Sequence, residues 1–400
     1  MRFAAYLDQH KPPRTSALHV AEALRRQLQS ETADLAVLFI TPDHASHFED
    51  IVTAFRSELP CRRLLGCTAE SVVGRDREVE TGPAISGWAA VMPGVEITTF
   101  HARFEPTPDG LLTEGLPTAD EFETPVRAVL LFGDPYTCPA PLLISRLADD
   151  LPNVPLLGGM ASAANSPGEN RLVRDDEITN FGGVGAVLCG PVRVRTIVSQ
   201  GCRPVGRPYV VTRAERNVIV ELGGRPALER LREVYAELPV EHRELFRRGP
   251  HIGMAMNEYK DHFDRGDFLV SNVIDADEDA GAVAVGTLVR TGQTVQFHVR
   301  DADTADEDLR AMLTPLSGIQ PTPDRGALLF TCNGRGTRMF PEPNHDAAVV
   351  QSLAGPLPLA GFFAQGELGP VAGRNHIHGF TASLAVFEPE AETGASASGE

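Results

Sequence analysis

One pattern occurs three times along this sequence, and it constrains the fold more than any single residue does. Each copy begins with a short apolar run, continues with a helical segment and ends in a stretch that turns at a glycine. The apolar runs are residues 35–40, 128–132 and 327–330, and the glycine stretches are residues 64–70, 156–162 and 359–365. Each stretch keeps an alanine three positions after its glycine: Gly66 and Ala69, Gly158 and Ala161, Gly361 and Ala364. A chain that repeats its sequence in this way is expected to repeat its structure.

The apolar runs predict strands, and the segments between them predict helices. The runs are continuous rather than alternating, which is typical of strands that are covered on both faces. In the first copy, apolar side chains at i, i+3, i+4 and i+7 share one helix face: Phe48, Ile51, Val52 and Phe55. A further apolar run follows each copy, at residues 87–92, 183–188 and 379–387. Each copy is interpreted as a strand–helix–strand unit with parallel or neighbouring strands; three unrelated helix–strand pieces are the alternative.

The length of 400 residues favours two domains. The boundary is expected near residue 220, where an apolar run at residues 218–222, a Gly223-Gly224 turn and Pro226 precede a helix. We predict an α/β protein of two related domains with mixed β-sheets, comprising residues 1–220 and 221–388. Residues 389–400 are acidic and rich in Ala, Ser and Gly, so a disordered tail is expected there.

The composition excludes several classes of function. The net charge is −18 and lysine occurs only at Lys11 and Lys260, so a nucleic-acid-binding surface is not expected. No apolar run approaches the roughly 18–20 residues of a membrane span, and the first residues lack the apolar core of a signal peptide. The six cysteines form no CxxC pair, which favours reduced thiols. We expect a cytoplasmic protein without membrane or nucleic-acid partners.

A glycine-rich turn follows the third apolar run, and its residues are Cys332, Asn333, Gly334, Arg335 and Gly336. Two glycines around an arginine allow the backbone to curl so that several N–H groups converge on an anion. The Arg335 guanidinium can add two hydrogen bonds to a carboxylate, and the carboxyl ends of strands in α/β sheets are common ligand sites. The sequence therefore predicts an anion-binding turn; a tight turn with Arg335 in a structural ion pair is the alternative.

A second polar group follows the next predicted strand of the same copy, at Gln365, Gly366 and Glu367. If the two strands are neighbours, Glu367 and Arg335 face one crevice. An amino acid needs an anion-binding group and a cation-binding group close together, and these two side chains would supply both. The alternative is that Arg335 and Glu367 pair with each other, because structural ion pairs are also common.

The first two copies carry related candidates. Glu70 and Ser162 stand four residues after their repeat glycines, so they can line a second pocket or help to line a shared one. Gly158, followed by Gly159, allows close approach of a ligand to the backbone or close packing of strands. Helix capping and turn formation are the alternative roles of Glu70 and Ser162.

Two further interpretations involve chemistry. His376 and His378 alternate in a predicted strand, so their imidazoles point to one side, and a metal held there would take Glu367 or Cys332 as a further ligand. Cys332 with His378 and Glu367 can also form a thiol nucleophile and its base. The sequence favours a hydrogen-bonded histidine and a small buried cysteine instead. We therefore expect no metal and no cofactor, and we favour a non-catalytic protein.

These motifs together resemble the FIST family. The C-terminal FIST domain resembles residues 326–336, Gly361, and residues 365–370 and 378–381. The N-terminal FIST domain is similar to residues 64–70, 157–162, 181–188 and 201–206. The resemblance extends over roughly residues 30–388 and is that of a stand-alone bacterial member, with no output domain in the sequence. It implies a sensory module of signal transduction that binds small ligands such as amino acids.

The residues and the resemblance together predict a cytoplasmic small-ligand sensor whose ligand is amino-acid-like or another carboxylate. Its unidentified partner would be a signalling protein. The predicted ligand contacts are the turn at residues 332–336, residues 365–367, His378, Gly158, Ser162 and Glu70. The two alternatives are an enzyme that uses Cys332, His378 and Glu367, and a protein-binding scaffold without a small ligand.

Overall fold

The structure is a computed structural model that describes residues 1–108, 110–260, 262–317, 322 and 324–390. The predicted tail lies outside these residues from position 391 on. The first part of the chain forms β1 (Arg2–Asp8), α1 (Pro13–Leu28), β2 (Ala33–Ile40), α2 (Phe48–Glu58), β3 (Cys61–Thr68), β4 (Val72–Gly74), β5 (Arg77–Val79), β6 (Ile85–Val91), β7 (Glu96–Thr107) and β8 (Gly110–Glu114). The second repeat follows with β9 (Val126–Gly133), α3 (Ala140–Asp150), β10 (Leu156–Met160), β11 (Leu172–Arg174), β12 (Glu177–Thr179) and β13 (Gly183–Cys189).

The middle of the chain forms β14 (Val192–Gln200), β15 (Cys202–Glu215), β16 (Val218–Leu222), β17 (Arg225–Pro226), α4 (Ala227–Glu237), α5 (Val240–Arg248), β18 (His251–Ala255), β19 (Phe268–Asp277), β20 (Ala282–Val285), β21 (Thr294–Arg300) and α6 (Ala302–Leu313). The third repeat forms β22 (Gly326–Cys332), α7 (His345–Ala354), β23 (Leu359–Ala364), β24 (Glu367–Val371), β25 (Arg374–His378) and β26 (Thr381–Pro389). None of the helices in the described part of the chain is both long and apolar enough to span a membrane.

The three repeats fold as strand–helix–strand units, and the prediction of parallel neighbouring strands is confirmed. The strand pairs β2–β3, β9–β10 and β22–β23 are parallel. A third strand, β6, β13 or β26, pairs antiparallel with the first strand of each unit. The sheets are therefore mixed, and the α/β fold class is confirmed.

The repeat glycines do not form turns, which corrects the sequence interpretation. Gly66, Gly158 and Gly361 lie inside β3, β10 and β23 and face the preceding parallel strand. A Cβ atom at these positions would lie 2.5, 1.9 and 1.8 Å from the backbone oxygens of Leu38, Leu131 and Leu329. No side chain fits at such distances. Glycine is therefore repeated because the two parallel strands approach each other closely.

Each of the three sheets that contain a repeat is completed by a hairpin that follows one of the other two repeats in sequence. The β4–β5 hairpin follows β3 but pairs with β23, and the β11–β12 hairpin follows β10 but pairs with β3. The β24–β25 hairpin follows β23 and pairs with β10. The hairpin of the first repeat thus joins the sheet of the third repeat, that of the second joins the first, and that of the third joins the second. Through this exchange of hairpins, each of the three sheets contains strands from two repeats.

Equivalent phenylalanines of the three repeats meet in one apolar core. Phe39, Phe132 and Phe330 each follow the leucine that pairs with a repeat glycine. Their ring centroids lie 5.3, 5.9 and 6.3 Å apart, and Phe362 of β23 lies 4.9 Å from Phe39. These separations are those of favourable aromatic packing. The repeat pattern therefore also sets the centre of the core.

All three repeats belong to one compact unit, formed by the described residues of the ranges 1–198, 313–377 and 382–390. The exchange of hairpins explains why the third repeat belongs there, although it follows the predicted boundary near residue 220. The predicted division into sequence domains 1–220 and 221–388 stays a prediction.

Residues 199–312 and 378–381 form the second compact unit. Its strands pair antiparallel in the order β15-β21-β18-β19-β20-β16, and β16 pairs back with β15. The six strands therefore close into a ring. Within this ring, β19 and β20 form an antiparallel hairpin.

Candidate functional site

The residues four positions after the repeat glycines lie at the carboxyl ends of β3, β10 and β23. Glu70 and Ser162 are in direct contact, because the Glu70 backbone N–H donates to Ser162 Oγ at 2.9 Å. The Ser162 hydroxyl in turn donates to the backbone oxygen of Phe363 in β23. The Gln365 backbone N–H donates to the Met160 oxygen at 3.0 Å. Hydrogen bonds thus join the strand ends of all three repeats.

The glycine-rich sequence after β22 forms a tight turn. The Asn333 backbone N–H donates to the Ala364 oxygen at 3.0 Å, and the Arg335 N–H donates to the Cys332 oxygen at 2.8 Å. The Gly334 N–H lies 3.5 Å from the Cys332 sulfur. Gly336 has a φ of +61° and begins a short 3-10 turn over Gly336–Arg338. The curl expected from the two glycines is therefore present.

A carboxylate lies on this turn, and it belongs to the chain itself. Glu80, the residue that follows β5, accepts the Thr337 backbone N–H at 3.0 and 3.1 Å and the Thr337 hydroxyl at 2.7 Å. A Cβ at Gly336 would lie 2.7 Å from the Glu80 carboxyl. One backbone N–H and one hydroxyl, both of Thr337, thus hold the Glu80 carboxylate against the end of the turn. Binding of a ligand anion by residues 332–336 stays a prediction. Nothing in the sequence near Glu80 signals this contact, because 257 positions separate the two partners.

Arg335 is fully buried in an ion pair with Asp346 of α7. Arg335 Nε lies 2.7 Å from Asp346 Oδ2, and Nη2 lies 2.8 Å from Oδ1. The exposed fractions of the two side chains are 0% and 1%, and the guanidinium lies over the Phe340 ring. This agrees with the alternative of a structural ion pair, but Asp346 takes the place that the sequence analysis gave to Glu367. A direct ligand contact of Arg335 stays a prediction.

The environment of Asp346 favours its ionised form. Burial alone would raise the pKa of this carboxyl, but the charge and hydrogen bonds of Arg335 hold its pKa well below the usual value. Hydrogen bonds from His345 and Thr331 act in the same direction. Burial lowers the pKa of Arg335, but the charge and hydrogen bonds of Asp346 raise it, and the pKa of Arg335 is raised overall. The pair is therefore ionised throughout the physiological range.

Glu78 is a second buried carboxyl beside this ion pair. Its Oε1 accepts the Ala347 N–H of α7 at 2.9 Å, and its own N–H donates to Asn344 Oδ1 at 2.7 Å. Burial and the negative charge of Asp346 raise the pKa of Glu78 from 4.5 to about 8. At neutral pH this carboxyl is therefore mostly protonated.

Glu78 should make the stability of the fold depend on pH. Between pH 4.5 and 8 the folded protein retains a proton that the unfolded chain releases, so the Glu78 contribution to the free energy of unfolding falls as pH rises. Glu78→Gln keeps the acceptor for Ala347 but removes this dependence. Relative to the wild type, the free energy of unfolding of the variant should gain about 3 kcal/mol between pH 5 and pH 8.

Urea unfolding at the two pH values, followed by the fluorescence of the single, buried Trp88, measures this gain. Glu114→Gln, at a half-exposed glutamate, is the control and should show no such change. The prediction fails if Glu78→Gln differs from the wild type equally at pH 5 and pH 8. Asp346 does not contribute in this window, because its pKa lies below it and its stabilisation is lost only in stronger acid.

A second, accessible ion pair lies at the same strand ends. Both guanidinium Nη atoms of Arg338 bind the carboxylate of Glu70, with Nη1 at 3.2 Å from Oε2. Arg338 Nη1 also donates to the backbone oxygen of Asn333 at 2.7 Å. The side chain of Arg338 is 57% exposed and that of Glu70 is 30% exposed. Sequence analysis missed Arg338, although it stands only three positions after Arg335 in the same glycine-rich run.

The remaining predicted residues have mainly buried positions. Gly158 packs against β9 with a φ of +133°, and the Gly366 oxygen accepts the Met160 N–H at 2.9 Å. Glu367 is fully buried in β24, where it pairs in register with Gly159. Cys332 is buried at the end of β22, and the other five cysteines are also buried. His378 ends β25 and is buried, but it belongs to the second compact unit.

The fold and the site define a class of protein: an α/β chain of repeated strand–helix–strand units that gathers charged and polar groups at its strand ends. Residues 34–225 match the FIST N domain and residues 227–370 match the FIST C domain. This protein belongs to the FIST family. FIST domains are sensory domains of signal transduction that bind small ligands.

Relatives with the same extent occur in mycobacteria. An uncharacterised protein of Mycobacterium tuberculosis is 42% identical over 388 residues, which cover 97% of this chain and 100% of the relative. An uncharacterised protein of Mycobacterium bovis is 41% identical over 380 residues, covering 95% and 97% of the two chains. The crystal structure of a cyanuric acid hydrolase from A. caulinodans covers 97% of this chain and 99% of its own, with a TM-score of 0.31 and 10% identity. These last values do not establish a shared fold.

Proposed function

We propose that this protein is a cytoplasmic sensor that binds an amino-acid-like molecule at the carboxyl ends of its repeat strands. The observation that carries the proposal is the accessible Glu70–Arg338 pair. It lies beside the hydrogen bonds that join the three repeats, and both of its side chains reach solvent. The ammonium group of an amino acid would bind Glu70, and its carboxylate would bind Arg338 through two hydrogen bonds.

The local charge supports a zwitterion more than a simple anion. The cluster contains the carboxylates of Glu70, Glu80 and Asp346 and the guanidinium groups of Arg335 and Arg338. Glu78 adds little charge at neutral pH, because burial and the charge of Asp346 raise its pKa to about 8 and it is mostly protonated. Negative charge thus exceeds positive charge, so a ligand with both an ammonium and a carboxylate is favoured over a carboxylate alone.

The other predicted contacts have supporting roles in this proposal. Residues 332–336 form the turn that carries Arg338, and residues 365–367 form the adjacent strand end. Gly158 allows the close strand packing that brings Ser162 to Glu70. Arg335 supports the site by fixing the turn to α7 through its ion pair with Asp346.

A ligand at this pair has a route to the rest of the unit. Ser162 joins the backbone of Glu70 to that of Phe363, so displacement of Glu70 acts on strand ends of the second and third repeats. Binding transmits a signal only if it favours one arrangement of these strand ends over another. A signalling protein that recognises that arrangement would be the partner.

A thermal-shift screen of the purified protein against the common amino acids tests the proposal. A ligand at 100 times its Kd adds about 2.7 kcal/mol of apparent stability, which raises the melting temperature by several degrees. Arg338→Ala and Glu70→Gln should each abolish the shift, while simple carboxylates such as acetate should cause none. Arg103→Ala removes an arginine from a similarly exposed ion pair on β7 and should leave the shift unchanged.

Two results would contradict the proposal. One is the absence of a shift with every amino acid tested. The other is a shift that persists in both Arg338→Ala and Glu70→Gln. Loss of the exposed ion pair itself should cost no more than about 1 kcal/mol, so both variants are expected to remain folded for the screen.

A further inference from the structure

We propose that Asp8, His10 and His19 form a binding site for a divalent transition-metal ion such as Zn²⁺. Asp8 ends β1, His10 lies in the link to α1, and His19 lies on α1. β1 is antiparallel to β6, and β6 is antiparallel to β2, so β1 runs in the direction of β2. Asp8 therefore lies at the carboxyl edge of this sheet, where the connections leave room for ligands.

The three side chains converge on one point. His10 Nδ1 lies 2.9 and 2.8 Å from the two Asp8 oxygens, and His19 Nδ1 lies 3.4 Å from Asp8 Oδ2. One ligand atom from each side chain falls within 4.8 Å of the others. Ligand bonds of about 2.0–2.2 Å place the donor atoms of a tetrahedral zinc roughly 3.3 Å apart. Small rotations of the two imidazoles would therefore admit the ion.

The donor set indicates the class of metal. Two imidazole nitrogens and one carboxylate oxygen suit zinc and its first-row neighbours, whereas Mg²⁺ and Ca²⁺ prefer oxygen ligands alone. The His10 and His19 side chains are 58% and 42% exposed, while that of Asp8 is 2% exposed. The exposed side leaves a fourth position for water or for a group on a ligand.

The carboxylate at the centre is held in place by its surroundings. The His10 backbone N–H donates to Asp8 Oδ1 at 2.8 Å. The buried His44 contacts the His10 backbone oxygen through Nε2 at 3.2 Å, which fixes the link that carries His10. Such outer contacts orient the ligands of metal sites. A hydrogen bond between one histidine and Asp8 would be satisfied without a second imidazole. His19 adds that second imidazole, with its ring edge-on to the His10 ring at a centroid distance of 4.7 Å.

Zinc binding to metal-free protein tests this site directly. Protein treated with a chelator and desalted should bind one Zn²⁺ per chain in calorimetric titration, and Co²⁺ should give visible d–d absorption bands. Zinc should also raise the melting temperature by several degrees. His10→Ala, His19→Ala and the shape-conserving Asp8→Asn should each weaken zinc binding at least about tenfold and remove the cobalt bands.

His47→Ala is the matched control, because His47 is a 52% exposed histidine near Asp50 in the same compact unit. This variant should bind zinc like the wild type. The melting curves of the metal-free variants show whether each remains folded. Zinc affinity that is unchanged in the His10→Ala/His19→Ala double variant, or lowered equally by His47→Ala, would overturn the proposal, as would the absence of any zinc binding.

Discussion

Arg335→Met should lower the free energy of unfolding by about 3–5 kcal/mol. The variant leaves the Asp346 carboxylate buried, 1% exposed and without the guanidinium that holds its pKa low. A buried charge that loses its partner is among the largest single-residue penalties in folded proteins. Replacing both partners, as in Arg335→Met/Asp346→Leu, removes the buried charges together and should recover most of the loss.

Urea unfolding followed by Trp88 fluorescence measures these effects in the compact unit that contains the pair. Arg103→Met is the control, since its ion pair with Glu114 is half-exposed and should contribute less than about 1 kcal/mol. A loss in Arg335→Met as small as that of the control would show that the turn tolerates an unpaired Asp346. A double variant as unstable as Arg335→Met would show that packing, rather than charge, dominates at this position.

Gly361→Ala should lower the free energy of unfolding by more than about 3 kcal/mol, and the variant is expected to accumulate as insoluble protein. Its Cβ would lie 1.8 Å from the Leu329 oxygen and 3.0 Å from the Leu329 nitrogen. Both atoms are backbone of β22, so the contact is relieved only if β22 and β23 separate. That separation would break the parallel pairing of the third repeat.

The repeats and a control provide a graded series. Gly66→Ala meets the Leu38 oxygen at 2.5 Å and should be destabilised less than Gly361→Ala. Gly379→Ala has no atom within 4 Å of the new Cβ and no positive φ, so it should resemble the wild type. Soluble yield and thermal unfolding of the three variants give the order. A stable, soluble Gly361→Ala protein would contradict the strand packing described above.

Much of the architecture could be predicted because its signals are local. The continuous apolar runs and the helical periodicity of residues 48–55 specify strand, helix and strand, and the parallel pairing follows from that order. Short sequences do not distinguish a glycine in a turn from one at a close strand contact, so the repeat glycines predict turns although they lie inside strands. The exchange of hairpins could not be predicted, since Val72 pairs with Phe362 and no local pattern encodes such pairing.

The candidate site was predictable in part for the same reason. The shape of the 332–336 turn depends on its own glycines and was predicted. Its carboxylate partner is Glu80, and the partner of Arg335 is Asp346, and neither is marked by the residues around it. Arg335 is marked in the sequence by its two flanking glycines, whereas no residue pattern marks the accessible Arg338. Asp8, His10 and His19 follow no recognised motif, and only the fold brings His19 to Asp8.

The exchange of hairpins has a consequence for synthesis on the ribosome. Val72 in β4 pairs with Phe362, and the ribosome adds Phe362 to the chain 290 residues after Val72. At typical elongation rates of about 5–20 residues per second, the β4–β5 hairpin lacks its sheet for roughly 15–60 s. During that time its strand edge is open to pairing with other chains. A nascent chain that stalls before residue 359 keeps this edge exposed, because β23 has not been made. This topology therefore makes incomplete chains more prone to aggregation than the finished protein.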